Sequence, residues 1–411
     1  VSGPSESLHI LFICPYLPSA IRVRPFQLIR YLVKAGYRVT VAALDDRSPA
    51  DASAHAELRQ ICEAVHLVPH PRLQAAAQAL LALPTGTPLW AAWCQSPQMM
   101  HLLRSLTATQ RFDVAHVEHL RAAHFAPAVG DLPCVFDAVD CITDLQRQVV
   151  AHTPPSKPRH WLAREEAVKL RRYEPAICNC FRQVTVTSQH DADALLSLQV
   201  QSPIAIIPNG VDRELPRSAS SNGTTDKRFD LIFSGKMSYQ ANEDAALFLL
   251  NHILPRLDLL LPQLPPVSVC IAGTGPSELL RQSALRWEDR VTITGWVEDL
   301  RPFLAASRIA VCPMRIGVGI QNKVLEAMAM GLPVVATPVA SRAFGRNAQN
   351  NGLRIAADAQ SFANHCAELL SGDDTARHVG IAGRDYVRAF HRWDKAAELF
   401  VEQYAKVRRA G

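Results

Sequence analysis

Short apolar runs alternate with amphipathic helical patterns along most of this 411-residue chain. The first run, His9 to Pro15, ends in turn residues, and a helical pattern from Pro25 to Ala35 follows it before a second apolar run, Arg38 to Leu44. This order predicts a strand, a helix and a strand, and the right-handed crossover of such a unit implies a parallel sheet. Further runs predict strands at Val65 to Val68, Val114 to Val117, Cys134 to Phe136 and Gln183 to Thr187.

The same alternation continues in the second half of the chain. Before it, Pro216 to Arg228 is rich in Ser, Gly and Thr, which predicts a mobile loop. Strands are then predicted at Leu231 to Ser234, Val267 to Ala272, Val291 to Thr294, Ile309 to Pro313 and Val334 to Thr337. Helices are predicted at Glu243 to Ile253, Glu278 to Gln282, Asp299 to Ala306, Lys323 to Met330 and Gln360 to Leu370.

These patterns predict an α/β protein with two Rossmann-like, doubly wound parallel-sheet domains. We place the first domain at residues 1–190 and the second at residues 191–385, with a final helix at 386–411 that packs back toward the first domain. Ligands of open α/β sheets bind beyond the carboxyl ends of the strands. The sequence therefore predicts a site in a cleft between two facing domains.

Composition and charge limit the classes of function and partner that the chain can have. Hydrophobic residues make up 48% and charged residues 20% of the chain, which is typical of a globular protein. The net charge of +5 is mild, and no basic stretch is interleaved with aromatic residues, so we expect no nucleic-acid partner. The basic run Arg22, Arg24 and Arg30 suits phosphates or anionic lipid, and peripheral membrane contact stays open.

The ten cysteines are scattered, and the pair Cys178 and Cys180 has no second pair to complete a zinc site, so no metal is expected. The first residues do not resemble a signal peptide, and no apolar run reaches the ~20 residues of a membrane span. We expect a cytoplasmic protein, with the inner face of the membrane as an open alternative.

The segment from Cys312 to Thr337 is the most informative about a ligand site. Gly317 and Gly319 follow a predicted strand, and Asn322 is expected to cap the next helix. A strand, a glycine loop and a helix N-terminus together favour a diphosphate, because free backbone N–H groups and the helix dipole attract anions.

Two side chains of that helix extend the prediction. Lys323 and Glu326 are three residues apart and share one face. The lysine can neutralise a phosphate, and the carboxylate can accept hydrogen bonds from both ribose hydroxyls. The alternative is that Glu326 is an ordinary solvated helix residue.

The stretch KVLEAMAMGLPVVAT resembles the donor-binding signature of retaining GT-B glycosyltransferases of family four. Further segments resemble the family in its order: DVAHVEHL at 113–120, RRYEPAI at 171–177, IIPNGVD at 206–212, FSGKMSYQANEDA at 233–245, IAGTGP at 271–276 and VTITGWVEDLRPFLAASRIAVCP at 291–313. The resemblance implies the GT-B fold, a nucleotide-sugar donor on the second domain, an acceptor on the first, and closure of the domains around them. It also implies no cofactor other than the donor, with UDP- and GDP-sugars favoured.

The resemblance also implies which residues contact the donor. In the second domain these are Asn209, Gly235, Lys236, Gly273, Gly275, Gly317, Gly319, Ile320, Gln321, Asn322, Lys323 and Glu326. The chain departs from the family at three points: Val318 replaces the first of two signature glutamates, Lys236 replaces an arginine, and Ala241 or Asn242 replaces a second lysine. We therefore hypothesise that Lys323 supplies the missing positive charge.

In the first domain the family's loop after strand one is Pro15 to Arg24, which contains no glycine. Ser19, Arg22 and Arg24 are candidates for contact with phosphate or an anionic acceptor, with a plain surface role as the alternative for the arginines.

Polar residues also follow the next two strands. Related enzymes keep a histidine near the transferred sugar, and we favour His119 and Glu118 over His116, which the alternation of a strand places on the same side as Glu118. Asp137 and Asp140 are candidates for acceptor hydroxyls or simple turn caps.

The resemblance therefore implies a retaining, metal-independent hexosyltransferase of surface polysaccharide or glycoconjugate synthesis, with a glycan, lipid-linked sugar or small-molecule acceptor. Three alternatives stay open. A nucleotide-sugar epimerase or hydrolase would need an acid/base pair and no acceptor pocket, and a dehydrogenase is disfavoured because Pro15 to Arg24 lacks a G-x-G-x-x-G turn. A non-catalytic nucleotide-sugar-binding protein is suggested by Val318.

Overall fold

The computed structural model describes residues 7–45, 52–212, 227–345 and 352–409. These residues form two compact units. One contains the described residues up to Pro208 together with those from Trp393 on, and the other runs from Asn209 to Arg392. The predicted loop Pro216 to Arg228 lies outside the described residues except for its last two positions.

The first unit is built around a seven-stranded sheet in which the hydrogen-bonded neighbours run parallel, in the order β3-β2-β1-β4-β5-β6-β7. Its elements up to Pro208 are β1 His9–Cys14, α1 Val23–Lys34, β2 Arg38–Asp45, α2 Ala52–Ile61, β3 Ala64–Pro69, α3 Arg72–Ala82, α4 Leu89–Ala92, α5 Pro97–Thr109, β4 Val114–Glu118, a 3₁₀ segment Ala123–Val129, β5 Cys134–Val139, α6 Ile142–His152, α7 Pro158–Cys178, β6 Gln183–Val186, α8 Gln189–Ser197 and β7 Ile204–Ile206.

The second unit contains a six-stranded parallel sheet with the order β10-β9-β8-β11-β12-β13. Its elements are β8 Phe229–Ser234, α9 Gln240–Phe248, a π-helical turn Leu249–Ile253, α10 Leu254–Leu260, β9 Val269–Ala272, α11 Glu278–Leu285, a 3₁₀ turn Glu288–Arg290, β10 Val291–Gly295, α12 Arg301–Ala305, β11 Ser307–Cys312, α13 Asn322–Ala329, β12 Val334–Ala336, α14 Pro338–Ser341, a 3₁₀ turn Arg342–Phe344, β13 Leu353–Ile355, α15 Ala359–Ser371 and α16 Asp373–Phe390.

The last helix, α17 Trp393–Arg409, belongs to the first unit. It buries Trp393, Phe400 and Tyr404 in a core cluster that also contains Phe12 of β1 and Leu28 of α1. These are among the largest fully buried side chains of the described residues, with the exception of Leu28. Burial of such aromatic surface is the main stabilising term that holds α17 in place.

The unit boundaries differ from those expected from the sequence. The first unit continues to Pro208 and not to residue 190, because β7 pairs with β6 at the edge of the first sheet. The return of the chain to the first unit occurs at Trp393 and not at residue 386, because α16 continues to Phe390 within the second unit. A three-residue strand such as β7 gives too weak an apolar pattern to be predicted alone.

In both sheets the strand order reverses next to the first strand of the unit, between β1 and β4 and between β8 and β11. Loops on the two sides of such a point diverge and leave a crevice beyond the carboxyl ends of the strands. This edge of each sheet is therefore the place to examine for a site. None of the helices in the described ranges is both long enough and apolar enough to cross a bilayer.

Candidate functional site

Two glycines hold the carboxyl ends of β8 and β9 together in the second unit. A Cβ built on Gly273, whose φ is +146°, would lie 1.8 Å from the carbonyl oxygen of Gly235. Met237 N–H then donates to the Thr274 carbonyl at 2.8 Å, so the loops after the two strands run side by side. No residue with a side chain fits at Gly273. Gly235 also has no side chain, so no Cβ covers its backbone.

Lys323 of α13 reaches toward this pair of loops. Its ammonium donates to Asn242 Oδ1 at 2.5 Å and lies 4.7 Å from the centre of the Phe233 ring. A Cβ on Gly235 would be 2.8 Å from Asn242 Nδ2 and 3.2 Å from Lys323 Nζ, so glycine at this position leaves room for both side chains. Asn242 also donates to the Lys236 carbonyl at 2.9 Å, which fixes the amide orientation.

The sequence lacks the family's second lysine, and the Lys323 ammonium lies close to one of the two positions where that lysine is expected. Asn242 is one of the two residues that stand where the family's second lysine is expected, and the Lys323 ammonium lies against the Asn242 amide. The positive charge is thus present beside Asn242, carried by a side chain from α13. Burial lowers the pKa of Lys323, and the neighbouring Cys312 and Glu326 oppose this shift. An anion bound here would favour the charged amine.

Glu326 lies one helical turn after Lys323 on α13. Burial raises the pKa of its carboxyl to about 7, although the Lys323 ammonium acts in the opposite direction. An ordinary solvated helix residue would not be desolvated to this extent. The carboxyl is therefore held in a partly enclosed place beside the lysine, and it titrates near neutral pH.

The N-terminus of α13 differs from the sequence prediction in one detail. The helix begins with Asn322, so the N-cap position belongs to Gln321, and no side chain among the described residues caps it. The predicted cap at Asn322 was wrong because the Asn322 side chain accepts a hydrogen bond from Asn209 Nδ2 at 2.9 Å. Gln321 Nε2 donates back to the Val318 carbonyl at 3.3 Å.

The loop before α13 contains the other predicted donor-binding residues. Gly319 has φ of +63°, a conformation in which a side chain is strained. Val318, at the position of the missing glutamate, is buried, as are Gly317 and Ile320. The loop therefore presents backbone groups at the helix N-terminus. Of the remaining predicted residues, Lys236 and Gly275 are exposed at the ends of β8 and β9.

In the first unit, Arg24 does not have the role in phosphate contact that we expected for it. Its guanidinium is buried and forms a two-pronged ion pair with Asp137, with Nε and Nη2 at 2.7 and 3.0 Å from the carboxylate oxygens. A third hydrogen bond runs from Nη1 to the Ile207 carbonyl at 3.0 Å. These contacts correct the expected phosphate contact of Arg24: the side chain positions Asp137 and the end of β7. Arg22, in contrast, is partly exposed and lies over the Tyr16 ring at 4.7 Å.

Glu118 and His116 belong to the same buried network. His116 Nδ1 is 2.8 Å from the Tyr404 hydroxyl, and its Nε2 is 3.4 Å from Glu118. Burial and the nearby Asp137 raise the pKa of Glu118 well above its usual range. The preference for Glu118 as a catalytic group is therefore corrected: it is 1% exposed and lies behind the surface.

Asp137 completes the charge balance of that network. Burial alone would raise the pKa of Asp137, but the Arg24 guanidinium holds this pKa below its ordinary value. By distance alone, His116, Glu118 and Asp137 could hold a metal ion, since their ligand atoms lie within 4.8 Å of one another. The guanidinium of Arg24 already occupies both oxygens of Asp137, so the donor set does not fit a cation well.

His119 is the network's half-buried neighbour at the end of β4. Its φ is +66°, and this left-handed conformation turns the ring toward Trp90 and Tyr16, at centroid distances of 6.3 and 6.5 Å. The Arg121 N–H donates to Nδ1 at 3.2 Å, which places the proton of the neutral ring on Nε2. Burial, with help from Arg121, lowers the pKa of His119 to about 3. The ring is therefore a neutral hydrogen-bond donor at physiological pH.

Three further residues at this edge have an unusual conformation or unusual surroundings. Val139 shares the left-handed conformation of His119, with φ of +69°, at the end of the adjacent strand β5. Oδ1 of the following Asp140 and the Ser19 hydroxyl are buried without a hydrogen-bond partner among the described residues. Strain and unsatisfied polar atoms at the carboxyl ends of strands are typical of ligand sites. The capping role considered for Asp140 belongs instead to Glu174, which accepts from the Ile142 and Thr143 N–H groups at 2.8 and 2.7 Å.

Family models match most of the chain. The model described as "Glycosyltransferase Family 4" matches residues 23–215, and the model described as "Glycosyl transferases group 1" matches residues 228–372. In sequence, the chain is 33% identical over 182 residues to a GDP-mannose-dependent alpha-(1-6)-phosphatidylinositol monomannoside mannosyltransferase of Mycobacterium tuberculosis. That match covers 39% of this chain and 47% of the relative, so the chain spans about half the length of the relatives it matches.

Solved structures resemble the chain over almost its whole length. A sucrose-phosphate synthase from Thermosynechococcus elongatus gives a TM-score of 0.70 at 17% identity and covers 98% of this chain and 100% of its own. Anabaena Alr3699/HepE in complex with UDP-glucose gives 0.67 at 17% identity, with 97% and 100% covered. At these identities the likeness shows the fold, which is GT-B. The chain thus matches the glycosyltransferase family 4 model in its first part and the group 1 glycosyl transferase model in its second part.

Proposed function

We propose that this protein is a glycosyltransferase that moves a hexose from a nucleotide-sugar donor to a hydroxyl group of an acceptor. The observation that carries the proposal is the Lys323 ammonium against Asn242, beside the uncapped N-terminus of α13 and at the reversal point between β8 and β11. Positive charge, backbone N–H groups and a nearby carboxyl suit a nucleoside diphosphate.

The same groups account for catalysis. When the glycosidic bond breaks, negative charge grows on the leaving diphosphate. Lys323, Lys236 and the helix N-terminus then stabilise the transition state more than the ground state, which is what lowers the barrier. No step of this scheme needs a metal ion, and we propose a metal-independent reaction.

The first unit is proposed to bind the acceptor. Neutral His119, with Nε2–H directed away from its Arg121 contact, donates a hydrogen bond to a sugar hydroxyl. Arg22 and the unpartnered oxygens of Ser19 and Asp140 are further candidates for hydroxyl or phosphate contacts. Glu118 and Asp137 are both engaged in the buried network, so neither acts as a covalent nucleophile. We therefore propose that retention, which the resemblance to family four implies, proceeds by same-face attack of the acceptor hydroxyl, with the departing diphosphate accepting its proton.

The comparisons support a proposal for the donor and acceptor classes. The mycobacterial relative is named for GDP-mannose and a phosphatidylinositol mannoside, and the Anabaena structure contains UDP-glucose. We propose a GDP- or UDP-hexose as donor and a glycan or lipid-linked acceptor of surface polysaccharide or glycolipid synthesis.

A thermal-shift screen of nucleotide sugars tests the proposal first, because a donor at 100 times its Kd adds ~2.7 kcal/mol of stability. The donor found is then incubated with acceptors, and proton NMR of the product reports the anomeric configuration. We expect retention and an unchanged rate in the presence of a chelator. An inverted product would contradict the proposed mechanism, and an epimer or free sugar from donor alone would favour the epimerase or hydrolase alternative. Binding without turnover on an acceptor panel would indicate a binding protein.

Glu326 provides a separate test through pH. Its pKa is raised to about 7, so the carboxyl is protonated below pH 7 and ionised above it. The ionised form can accept hydrogen bonds from both ribose hydroxyls, and we expect the affinity for the donor nucleotide to rise by about tenfold as pH increases through 7. The measurement is calorimetric titration with the nucleoside diphosphate.

Glu326→Gln is the control for this pH effect, because it keeps the shape of the side chain and removes its titration. The nucleotide phosphate has its own ionisation near pH 6, and the variant reports that contribution alone. A pH dependence that is the same in both proteins would show that Glu326 does not contact the ribose.

A further inference from the structure

One surface of the first unit has an apolar character that the proposed chemistry does not use. On α3, the exposed residues Leu73, Ala77, Leu80 and Leu81 lie at spacings of four, seven and eight, so they form one stripe. Leu73, Leu80 and Leu81 are 87%, 65% and 70% exposed, while the buried residues of the helix are the alanines Ala75 and Ala82. The usual pattern of a surface helix is reversed here, since its large apolar side chains face solvent.

Helix α7 presents a second exposed apolar set. Trp161, Leu162 and Val168 are 63%, 50% and 58% exposed. Trp161, Arg164 and Val168 share a stripe that continues to Arg171 and Arg172. The opposite face of the helix, with Ala163, Leu170 and Cys178, is buried.

Two buried charged residues connect α7 to the end of α3 and the start of α4. Lys169 donates from Nζ to the Ala82 and Leu83 carbonyls, both at 2.9 Å, at the end of α3. Glu166 accepts from the Leu89 and Trp90 N–H groups at 2.8 and 3.0 Å, at the start of α4. The end of α3 is therefore fixed against the middle of α7. We call the exposed residues of this surface the α3–α7 patch: Leu73, Leu80, Leu81, Leu83, Trp161, Leu162 and Val168.

The charges around the patch are mainly positive. Exposed cations lie along it at Arg72, Lys157, Arg159, Arg164, Arg171 and Arg172. The sequence contains no aspartate or glutamate from residue 70 to 112 or from 145 to 164. Glu165 follows on α7, but it is paired with Lys169 at 2.7 Å. Exposed leucines and a tryptophan on two tethered helices, accompanied by arginines, are complementary to the interface of an anionic bilayer.

We propose that the α3–α7 patch docks this protein on an anionic lipid surface. The leucines and Trp161 enter the boundary between headgroups and acyl chains, and the arginines lie over the lipid phosphates. Lys169 and Glu166 stay bound to the backbone of the α3–α4 connection and keep the two helices in place. This inference is independent of the proposed transfer reaction, because none of its residues belongs to the candidate site.

Co-sedimentation of the full chain with vesicles tests this proposal. We expect binding to vesicles of phosphatidylcholine and phosphatidylglycerol, weaker binding to phosphatidylcholine alone, and loss of binding at high salt. The double variant Leu80→Ser/Leu81→Ser should lower the partition coefficient by about tenfold or more, because burial of each leucine contributes roughly that factor. Arg164→Gln/Arg171→Gln should reduce binding to the anionic vesicles only.

The matched control is Leu259→Ser/Leu285→Ser, which changes two leucines of the second unit that are at least as exposed as Leu80 and Leu81. It should bind vesicles as the unchanged protein does. All variants are surface substitutions, and their thermal unfolding is compared to show that each is folded. Equal binding by the patch and control variants, or no binding to anionic vesicles, would overturn the proposal. So would a dimer in lipid-free light scattering that Leu80→Ser/Leu81→Ser dissociates, since the patch would then be covered by a second copy.

Discussion

Replacing Lys323 by alanine is expected to lower kcat by about 10²- to 10³-fold, the usual cost of removing a group that stabilises charge developing in a transition state. The reason is the position of its ammonium beside Asn242 at the end of β8, where the leaving diphosphate is proposed to bind. Donor affinity should fall less than turnover, because the charge on the diphosphate increases as the bond to the sugar breaks. Steady-state kinetics at saturating donor, together with calorimetric donor titration, separate the two effects.

Lys236→Ala is the matched comparison. Lys236 is exposed at the end of β8, and its backbone carbonyl accepts a hydrogen bond from the Asn242 side chain. It removes the other positive charge proposed to act on the diphosphate. If Lys323→Ala leaves both turnover and donor affinity unchanged while Lys236→Ala lowers them, then Lys323 does not replace the lysine missing from the family pattern. Loss of activity in Asn242→Ala with Lys323 intact would support the positioning role of the amide.

Arg24→Met is expected to destabilise the protein by about 3–5 kcal/mol, because it leaves the Asp137 carboxylate buried without its partner. The methionine keeps much of the arginine's apolar volume, so the main change is the loss of charge and of three hydrogen bonds. Urea unfolding followed by circular dichroism measures the change in the free energy of unfolding. If the two units unfold separately, the transition to be compared is that of the first unit.

Two further variants make the Arg24 experiment specific. Arg22→Met changes a partly exposed arginine two residues earlier and is expected to alter stability by less than about 1 kcal/mol. Adding Asp137→Asn to Arg24→Met removes the uncompensated charge and should recover part of the lost stability. An Arg24→Met protein as stable as the Arg22→Met protein would contradict the buried ion pair.

The local sequence predicted the architecture well, because parallel strands buried on both faces give continuous apolar runs. The runs at Leu231 to Ser234 and Val334 to Thr337 correspond to β8 and β12 within one or two residues. The alternating order of strands and helices was enough for the doubly wound class, and the motif from 312 to 337 led to α13. Very short elements such as β7 and β13 lacked such a signal, and the missed β7 displaced the predicted boundary between the domains.

The parts of the site that the sequence did not predict depend on contacts between distant residues. Arg24 and Asp137 are 113 positions apart, and His116 and Tyr404 are 288 apart. An arginine in a loop after the first strand has the same local pattern whether it faces a ligand or a buried carboxylate. Strand alternation did place His116 and Glu118 on one side, but only the tertiary contacts show that this side is interior. Tyr404 was not considered, since a tyrosine in a terminal amphipathic helix gives no signal of its partner.

The first unit is assembled from two separate stretches of the chain, whereas the second unit is a single continuous stretch. A ribosome therefore delivers all of the second unit before the helix that carries Trp393, Phe400 and Tyr404 emerges. Until then, the apolar side of β1 and α1 lacks its cover, and His116 lacks the hydroxyl that it contacts in the finished protein. Most of the first unit is therefore synthesised before the second unit, but its fold is completed only after the second unit has been made.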